Sequence, residues 1–537
     1  MFAALLSIAW LAPLLLLPLA VRERGKWFTA VAVLPALITA LLVPTGTAME
    51  IPWLLLGVSL ELDQTGRLLM STSALLWLFA AVYALLNEAT AQYNGRFRLF
   101  FMLSMAGNML LILAADMMSF YCGFALMGLA AYGMIVQRRS QRARRAGRVY
   151  LGWTLVGELA LFSAIALLSA DIGSKQFSDL THYEYPALVV ALLVIGFGIK
   201  LALPGLHFWL PMTYAAAPAA AAAVLSGPMI TAGLLGWLRF MPAGADGLSH
   251  WADPLQWLGL IGIVLGTVLG LLQRDPRAVL GYSSILKMGV ITAVFGSALA
   301  HPQAAPGILA ALILYALHHL LVKAALFLGV GEWQRTGPAP WLLAGLALLA
   351  LALLGSPMSG GAGAKAELKM AAGVATSIGP LLLFSALATA LLLGRFFWLI
   401  TRRSQSLTNS AIQRSSLAWL LLVPLAFVLP FNPLSASLDM NVLLPLLLGL
   451  GIVVIAWAVQ ARRPQSGRRQ VSMPVRRRLR LSESAQRIRV VSGRFKLPLP
   501  ILPWRPSNGE QRILPLATAG LLWLLLFILL LVLVMSG

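Results

Sequence analysis

Apolar stretches of about 20 residues, the length one helix needs to cross a hydrocarbon core, alternate with short polar segments along the whole chain. The pattern predicts spans near 2–21, 27–44, 67–87, 98–114, 117–137, 147–170, 219–240, 254–273, 278–299, 305–331, 378–401, 416–434, 440–460 and 513–535. Two more, 186–210 and 338–375, are apolar but interrupted. The expectation is an all-α polytopic membrane protein with about sixteen transmembrane helices, two of them broken.

The loops test that count. Arg22, Arg24 and Lys26, Arg96 and Arg98, the run 138–148, Arg274 and Arg277, Arg402 and Arg403, and the segment 461–512 all fall on one side. The opposite side receives 45–66, 171–185 with Asp171, Asp179 and Glu184, and 241–253 with Asp246 and Asp253. Basic loops stay in the cytoplasm, so both termini are expected outside it, in a cell (inner) membrane. Composition agrees: 60% of residues are hydrophobic and 11% charged, against about 25% charged in soluble domains. The net charge of +22 therefore reflects loop topology and not nucleic-acid binding. One cysteine, Cys122, excludes a disulfide framework within the chain. The apolar N-terminus lacks a basic leader region and a small-residue cleavage site, and reads as a retained first helix.

The chemistry lies in the interrupted spans. Lys200 follows roughly thirteen apolar residues and precedes Pro204, Gly205, His207, Trp209 and Pro211. A lysine at the bilayer centre costs about 2.5–3.5 kcal/mol on insertion scales. The backbone groups that Pro and Gly free must find protein or a water-lined cavity. Broken helices with an ionisable residue at the break build ion sites in transporters; the structural alternative is a snorkelling lysine beside a proline kink. Glu158, Lys287, His318, His319 and Lys323 also lie within spans. His319 and Lys323, four apart, share one helix face. Lys365, Glu367 and Lys369 follow the breaker run GSPMSGGAGA in the second interrupted span. Lysines, histidines and a carboxylate threaded through apolar helices are what a proton relay requires.

Residues 461–512 stand apart, with fourteen Lys/Arg against Glu483 and Glu510 and with dispersed prolines. They read either as a cytoplasmic loop held near anionic headgroups, each basic residue contributing about 1 kcal/mol, or as a docking segment for a cytoplasmic partner.

Jointly, these motifs resemble a known family. KLALPGLHFWLP resembles the seventh-helix break of the antiporter-like, proton-translocating membrane subunits shared by respiratory complex I, group 4 hydrogenases and Mrp cation/proton antiporters. AAAPAAAAAVLSGPMITAG looks most like the hydrogenase and Mrp branches. DPRAVLGYSSILKMG is similar to the family's aspartate–x–lysine segment, with Arg277 at the lysine position. ALHHLLVKAALFLGVG gives His319 and Lys323, and GSPMSGGAGAKAEL the second broken helix with Lys365. The resemblance runs from about Leu55 to Arg402.

It implies two inverted five-helix repeats, each with one broken helix and one half-channel. The division is then N-terminal helices over 1–114, a first repeat over 115–240 holding Lys200, and a second over 254–401 holding Lys323 and Lys365. C-terminal helices over 402–460, the basic segment 461–512 and a last helix within 513–537 complete it. The implied function is proton transfer through a membrane subunit of a larger assembly, such as an NADH-quinone oxidoreductase or membrane hydrogenase. The residues and the resemblance together give a pathway of Lys200, Glu158, His207, Lys287, His319, Lys323, Lys365 and Glu367, and the implied partners are other membrane subunits.

Two departures bear on this. The family's fifth helix carries a tryptophan–glutamate pair whose glutamate partners the broken-helix lysine, and here Phe124 and Ala125 occupy those positions. The following helix offers only Thr231 where a lysine or histidine is common. Glu158 is the deep carboxylate left to pair with Lys200. A non-conducting scaffold and the membrane subunit of a two-component inorganic-carbon uptake system stand as alternatives. No nucleotide, flavin, quinone or metal motif occurs, so no cofactor and no redox step of the chain's own is expected.

Overall fold

The computed structural model describes residues 2–54, 57–87, 92–371, 378–402, 412–413 and 416–429. The expected spans 440–460 and 513–535 and the basic segment 461–512 lie outside the described residues. Each earlier expected span meets a helix.

The N-terminal helices are α1 (Phe2–Ala20), the short α2 (Phe28–Val31), α3 (Leu34–Leu42), α4 (Gln64–Leu86) and α5 (Gly95–Leu113). They are followed by α6 (Met117–Ile135), α7 (Gln141–Ile172), α8 (Ala187–Lys200), α9 (Trp209–Ala216), α10 (Ala219–Ser226) and α11 (Pro228–Phe240). Then come α12 (Ala252–Leu271), α13 (Pro276–Ala300), α14 (Ala305–Thr336), α15 (Pro340–Leu354), α16 (Gly360–Ala371), α17 (Ile378–Arg402) and α18 (Leu417–Val428). Ten helices among the described residues are long and apolar enough to cross a membrane. This is a multi-pass helical membrane protein.

Short polar loops supply the helix starts. The side chains of Asp63, Asn94, Asp116, Ser140 and Asp275 accept backbone N–H groups at the N-termini of α4, α5, α6, α7 and α13. Each satisfies a donor that the first turn leaves orphaned. Asp116 is the most enclosed of them. It takes Ser59 N and Ser119 N, both at 2.8 Å, and so ties α6 to the outer loop.

One element corrects the all-α expectation. Within the loop 45–66, β1 (Thr47–Ile51) pairs antiparallel with β2 (Val58–Leu62), with Met49 opposite Leu60. Ala115 N donates to Ser59 O at 2.9 Å, so the hairpin lies against the start of α6. Two five-residue strands carry too little pattern to be told from a loop by period alone.

The core is set by which helices lack a lipid-facing side. The apolar windows of α13 and α14 are 94% buried and that spanning α10–α11 is 100% buried, whereas those of α7 and α12 are 39% buried. Leu155, Val156, Leu159 and Phe162 of α7 and Trp257, Val264 and Val268 of α12 are exposed, making outer faces. Lys287, His318, His319 and Lys323 therefore sit on the two nearly enclosed helices α13 and α14, while Glu158 lies on the inward face of α7. α12 and α13 approach through glycine: a Cβ on Gly259 would lie 2.4 Å from Gly289 O, and one on Gly289 2.5 Å from Gly259 O. Neither backbone can yield. We expect Gly289→Val to lower the unfolding midpoint of the detergent-solubilised protein by the overpacking cost of about 1–3 kcal/mol. Gly152→Val, with nothing within 4 Å of a Cβ there, should leave it close to wild type.

Candidate functional site

Both interrupted spans break in the same way. α8 closes with Leu203 N donating to Gly198 O at 3.0 Å and Ala202 N to Ile199 O at 3.1 Å. These are the paired six-to-one and five-to-two bonds of a Schellman stop. The left-handed position falls on Ala202 (φ 53°), a residue that takes it at some strain, and Gly205 follows at φ 86°. Trp209 Nε1 also donates to Ile199 O at 2.8 Å, giving that carbonyl a second donor from the next half-helix. α15 ends alike: Ser356 N donates to Leu351 O and Gly355 N to Ala352 O, both at 3.0 Å, with Gly355 at φ 78°.

At the first break Lys200 occupies the last turn of α8, where the negative end of the helix dipole favours a cation. It is 2% exposed. Its Nζ stands 5.2 Å from the Phe124 ring centre and 5.5 Å from that of Tyr150, within cation–π range. The Tyr150 hydroxyl is 3.5 Å from Nζ and donates to Gly128 O at 2.7 Å. Glu158, 6% exposed, has neither carboxylate oxygen hydrogen-bonded. It lies within Coulombic range of Lys200. The acid and base are thus brought to one spot without an ion pair joining them. Phe124, at the family's tryptophan position, faces the ammonium, while the carboxylate comes from the neighbouring helix α7.

At the second break the lysine sits on the far half-helix. Lys365 of α16 reaches back to donate to Leu354 O, the end of α15, at 2.5 Å. Lys323 of α14 donates to Leu280 O at 2.9 Å. Lys287 Nζ and both ring nitrogens of His319 are buried without hydrogen-bond partners. Lys287 faces the Tyr315 ring at 5.6 Å. Lys287 is within Coulombic range of Lys323 and Lys365, and His319 of Lys323 and Lys287. These four form one group across α13, α14 and α16.

His207 lies in the first break, between α8 and α9, fully enclosed, with its ring beside the Leu203 backbone, 4.4 Å from Phe208 and 6.4 Å from Tyr282 of α13. Glu367 is half-buried on α16, and among the described residues no hydrogen bond joins it to the group.

Sequence reasoning missed Tyr150, Gly128, Tyr315 and the geometry of His318. His318 Nε2 lies 3.1 Å from Ala352 O and Nδ1 3.5 Å from Leu429 O, so the ring bridges the ends of α15 and α18. Tyr150 lies a little over two turns before Glu158 on α7, a spacing that could have flagged it; nothing local flags Gly128. Also missed was Glu332, a fully buried carboxylate at the end of α14 that accepts from Ser416 Oγ at 2.7 Å and pairs with Arg335.

The Glu158–Lys200 juxtaposition makes a measurable claim. Glu158→Gln and Lys200→Met should each lower the unfolding midpoint. A double-mutant cycle should return a coupling of about 0.5–3 kcal/mol, as expected for groups in electrostatic contact. Strict additivity would mean that the two do not sense one another.

The comparisons agree with this architecture. The family model described as NADH:quinone oxidoreductase/Mrp antiporter, TM, matches residues 114–392. Hydrogenase-4 component B of Escherichia coli is 28% identical over 298 residues, covering 52% of this chain and 44% of that protein. NADH-quinone oxidoreductase subunit N of Desulforudis audaxviator is 31% identical over 300 residues, 53% of this chain and 57% of its own. The chain thus spans about half the length of these curated relatives. A chain of the archaeal membrane-bound sulfane sulfur reductase superposes with a TM-score of 0.69 at 20% identity, covering 86% of this chain and 98% of that one. A chain of the Mrp complex of Dietzia sp. DQ12-45-1b gives 0.67 at 20% identity, covering 87% and 57%. At that identity the likeness is one of fold. With a buried lysine at each of two helix breaks and the family model matched over more than half its length, the chain belongs to the NADH:quinone oxidoreductase/Mrp antiporter transmembrane family.

Proposed function

We propose that the chain is a proton-translocating, antiporter-like subunit of a larger membrane complex of the oxidoreductase or membrane-hydrogenase type. One observation carries this reading: Lys287 has Lys323 and Lys365 within Coulombic range and His319 has Lys323 and Lys287, on and beside the almost wholly buried helices α13 and α14. The groups are amines and imidazoles, which bind protons through nitrogen, whereas a hard metal cation would call for oxygen ligands. Like charges brought near one another repel, so a proton on one member disfavours a proton on its neighbours. A proton arriving at one member therefore drives another off, which is how a relay moves charge.

In this reading residues 115–240 and 254–401 are the two inverted repeats, each contributing a half-channel through its broken helix. Residues 1–114 flank them and 402–460 follow. Lys200, Glu158 and His207 serve the first half-channel, and Lys287, His319, Lys323 and Lys365, with Glu367 at its margin, the second. The basic loops face the cytoplasm and both termini lie on the other side. The scaffold alternative rested on the missing α6 carboxylate, and the nearness of Glu158 to Lys200 weakens it. Copurification separates the rest: oxidoreductase or hydrogenase subunits support the proposal, and a carbonic-anhydrase-like zinc protein would favour inorganic-carbon uptake.

Two measurements follow. In proteoliposomes containing the isolated complex, Lys365→Ala and Lys323→Ala should each lower proton uptake at least tenfold, and wild-type rates in both would overturn the relay. Deleting 464–498 should release a cytoplasmic partner bound electrostatically. The same contact should loosen as salt rises, because exposed charges are screened beyond about 8 Å at physiological ionic strength. Unchanged assembly would assign the segment to the lipid surface.

A further inference from the structure

Three contacts hold α18 along one stripe of α14. Ser416 Oγ donates to Glu332 at 2.7 Å, Trp419 Nε1 donates to Ala325 O at 2.8 Å, and His318 Nδ1 lies 3.5 Å from Leu429 O. His318, Ala325 and Glu332 recur every seven residues, about two helical turns, so they share a face. The first two contacts make a fixed base. Glu332 is fully buried, and the Trp419 indole sits where a Cβ on Gly345 would lie 2.5 Å from its ring. Beyond that base Pro424 interrupts α18. Without an N–H it leaves the helix one bond short and makes it a bending point. α18 therefore has a base, a hinge and a tip at Leu429.

The tip meets an imidazole standing between two carbonyl oxygens. His318 Nε2 lies 3.1 Å from Ala352 O, in the last turn of α15, while Nδ1 faces Leu429 O, the C-cap of α18. Both oxygens only accept. A neutral imidazole carries one N–H, so it serves one oxygen and turns a bare lone pair toward the other; an imidazolium donates to both. The negative ends of the two helices also favour the charged ring. Backbone closes the remaining side: a Cβ on Gly361 would lie 2.7 Å from Nε2 and collide with Ala352 O. A Cβ on Gly360 would lie 2.6 Å from Leu429 O, so the tip rests on the start of α16, the half-helix that carries Lys365.

We propose that His318 is a proton-operated clasp, which binds the tip of α18 to the end of α15 when charged and releases it to bend at Pro424 when neutral. The charged groups that face it are Lys287 of α13 and Lys365 of α16, with His319 beside it on α14. α15 and α18 carry no titratable side chain. Charge on either lysine repels the imidazolium, so the clasp closes more readily when those lysines are neutral. His318 is thus a positioning residue outside the relay. The clasp itself needs no transport; its link to Lys287 and Lys365 rests on the proposed function.

Hydrogen–deuterium exchange of the isolated complex in lipid nanodiscs reads the tip directly. From about pH 8 to about pH 5, the range in which histidine changes charge, exchange over 425–429 should slow at least threefold after correction for its intrinsic pH dependence. Exchange over 420–423, between the base and the hinge, should not respond. In His318→Gln, which takes no proton, the tip should stay at the wild-type pH 8 level throughout. His318→Asn, a second variant that takes no proton, should behave likewise. A pH-independent tip in the wild type would overturn the clasp, and so would a wild-type response in either variant. A chain that shows the tip response but no proton uptake loses the relay and keeps the clasp. Proton uptake with an unresponsive tip does the reverse.

Discussion

A helix that stops inside a membrane leaves carbonyl groups with nothing to accept from, and the organisation of this protein follows from how those groups are satisfied. Each unsatisfied backbone group in hydrocarbon costs several kcal/mol. α8 and α15 both close two of their carbonyls within a Schellman turn. Side chains add to this: Trp209 gives Ile199 O a second donor and His318 lies against Ala352 O, while Lys365 serves Leu354 O, which lies outside the Schellman bonds. Two of these three groups, Lys365 and His318, are titratable, so the same side chains that satisfy the second break can also bind protons.

That overlap decides where charge can sit. A helix C-terminus presents negative partial charge, worth about 0.3–1 kcal/mol to a nearby exposed cation and up to about 2 in partly buried geometry. The term is small beside the cost of burying a lysine, so no single break can hold a permanent ammonium by dipole alone. It is large enough to bias which of several amines takes a proton. At the second break Lys287 lies within range of both Lys365 and Lys323. The first break has Lys200 near a carboxylate and two aromatic faces. Its charge is held locally.

Much of this was legible from the sequence because the strongest signals are long. Spans of about 20 apolar residues, loop charge and the Pro/Gly interruptions each integrate over many positions, and the helices through α18 follow them. The residues of the second group were legible for the same reason: a lysine or histidine in an apolar run needs an explanation wherever it occurs. What escaped were features that depend on two elements meeting. The hairpin β1–β2 is too short to carry a period. Ala202 in a left-handed conformation contradicts its own propensity and is imposed by the turn that ends α8. Gly128 looks like any helix-packing glycine until α7 and α8 are laid beside it. The approach of Glu158 to Lys200 could be guessed by elimination, but the gap between them could not.

The two breaks are not copies of one another, and the difference has a direction. Lys200 belongs to the half-helix before its break and rides on the terminus it neutralises, so moving the ammonium away means uncoupling it from its own helix dipole. Lys365 belongs to the half-helix after its break and reaches across to the carbonyl end of α15. Any displacement of α16 relative to α15 changes that contact directly, as a shift of α18 changes the bridge of His318 to Leu429 O. Small movements of packed helices are the usual way in which a distant event reaches a site, because packed cores switch between arrangements and do not deform continuously. The second break is therefore the one whose contacts change when its surrounding helices shift. The first, with its lysine fixed to α8 and its acid fixed to α7, is built to keep a constant geometry.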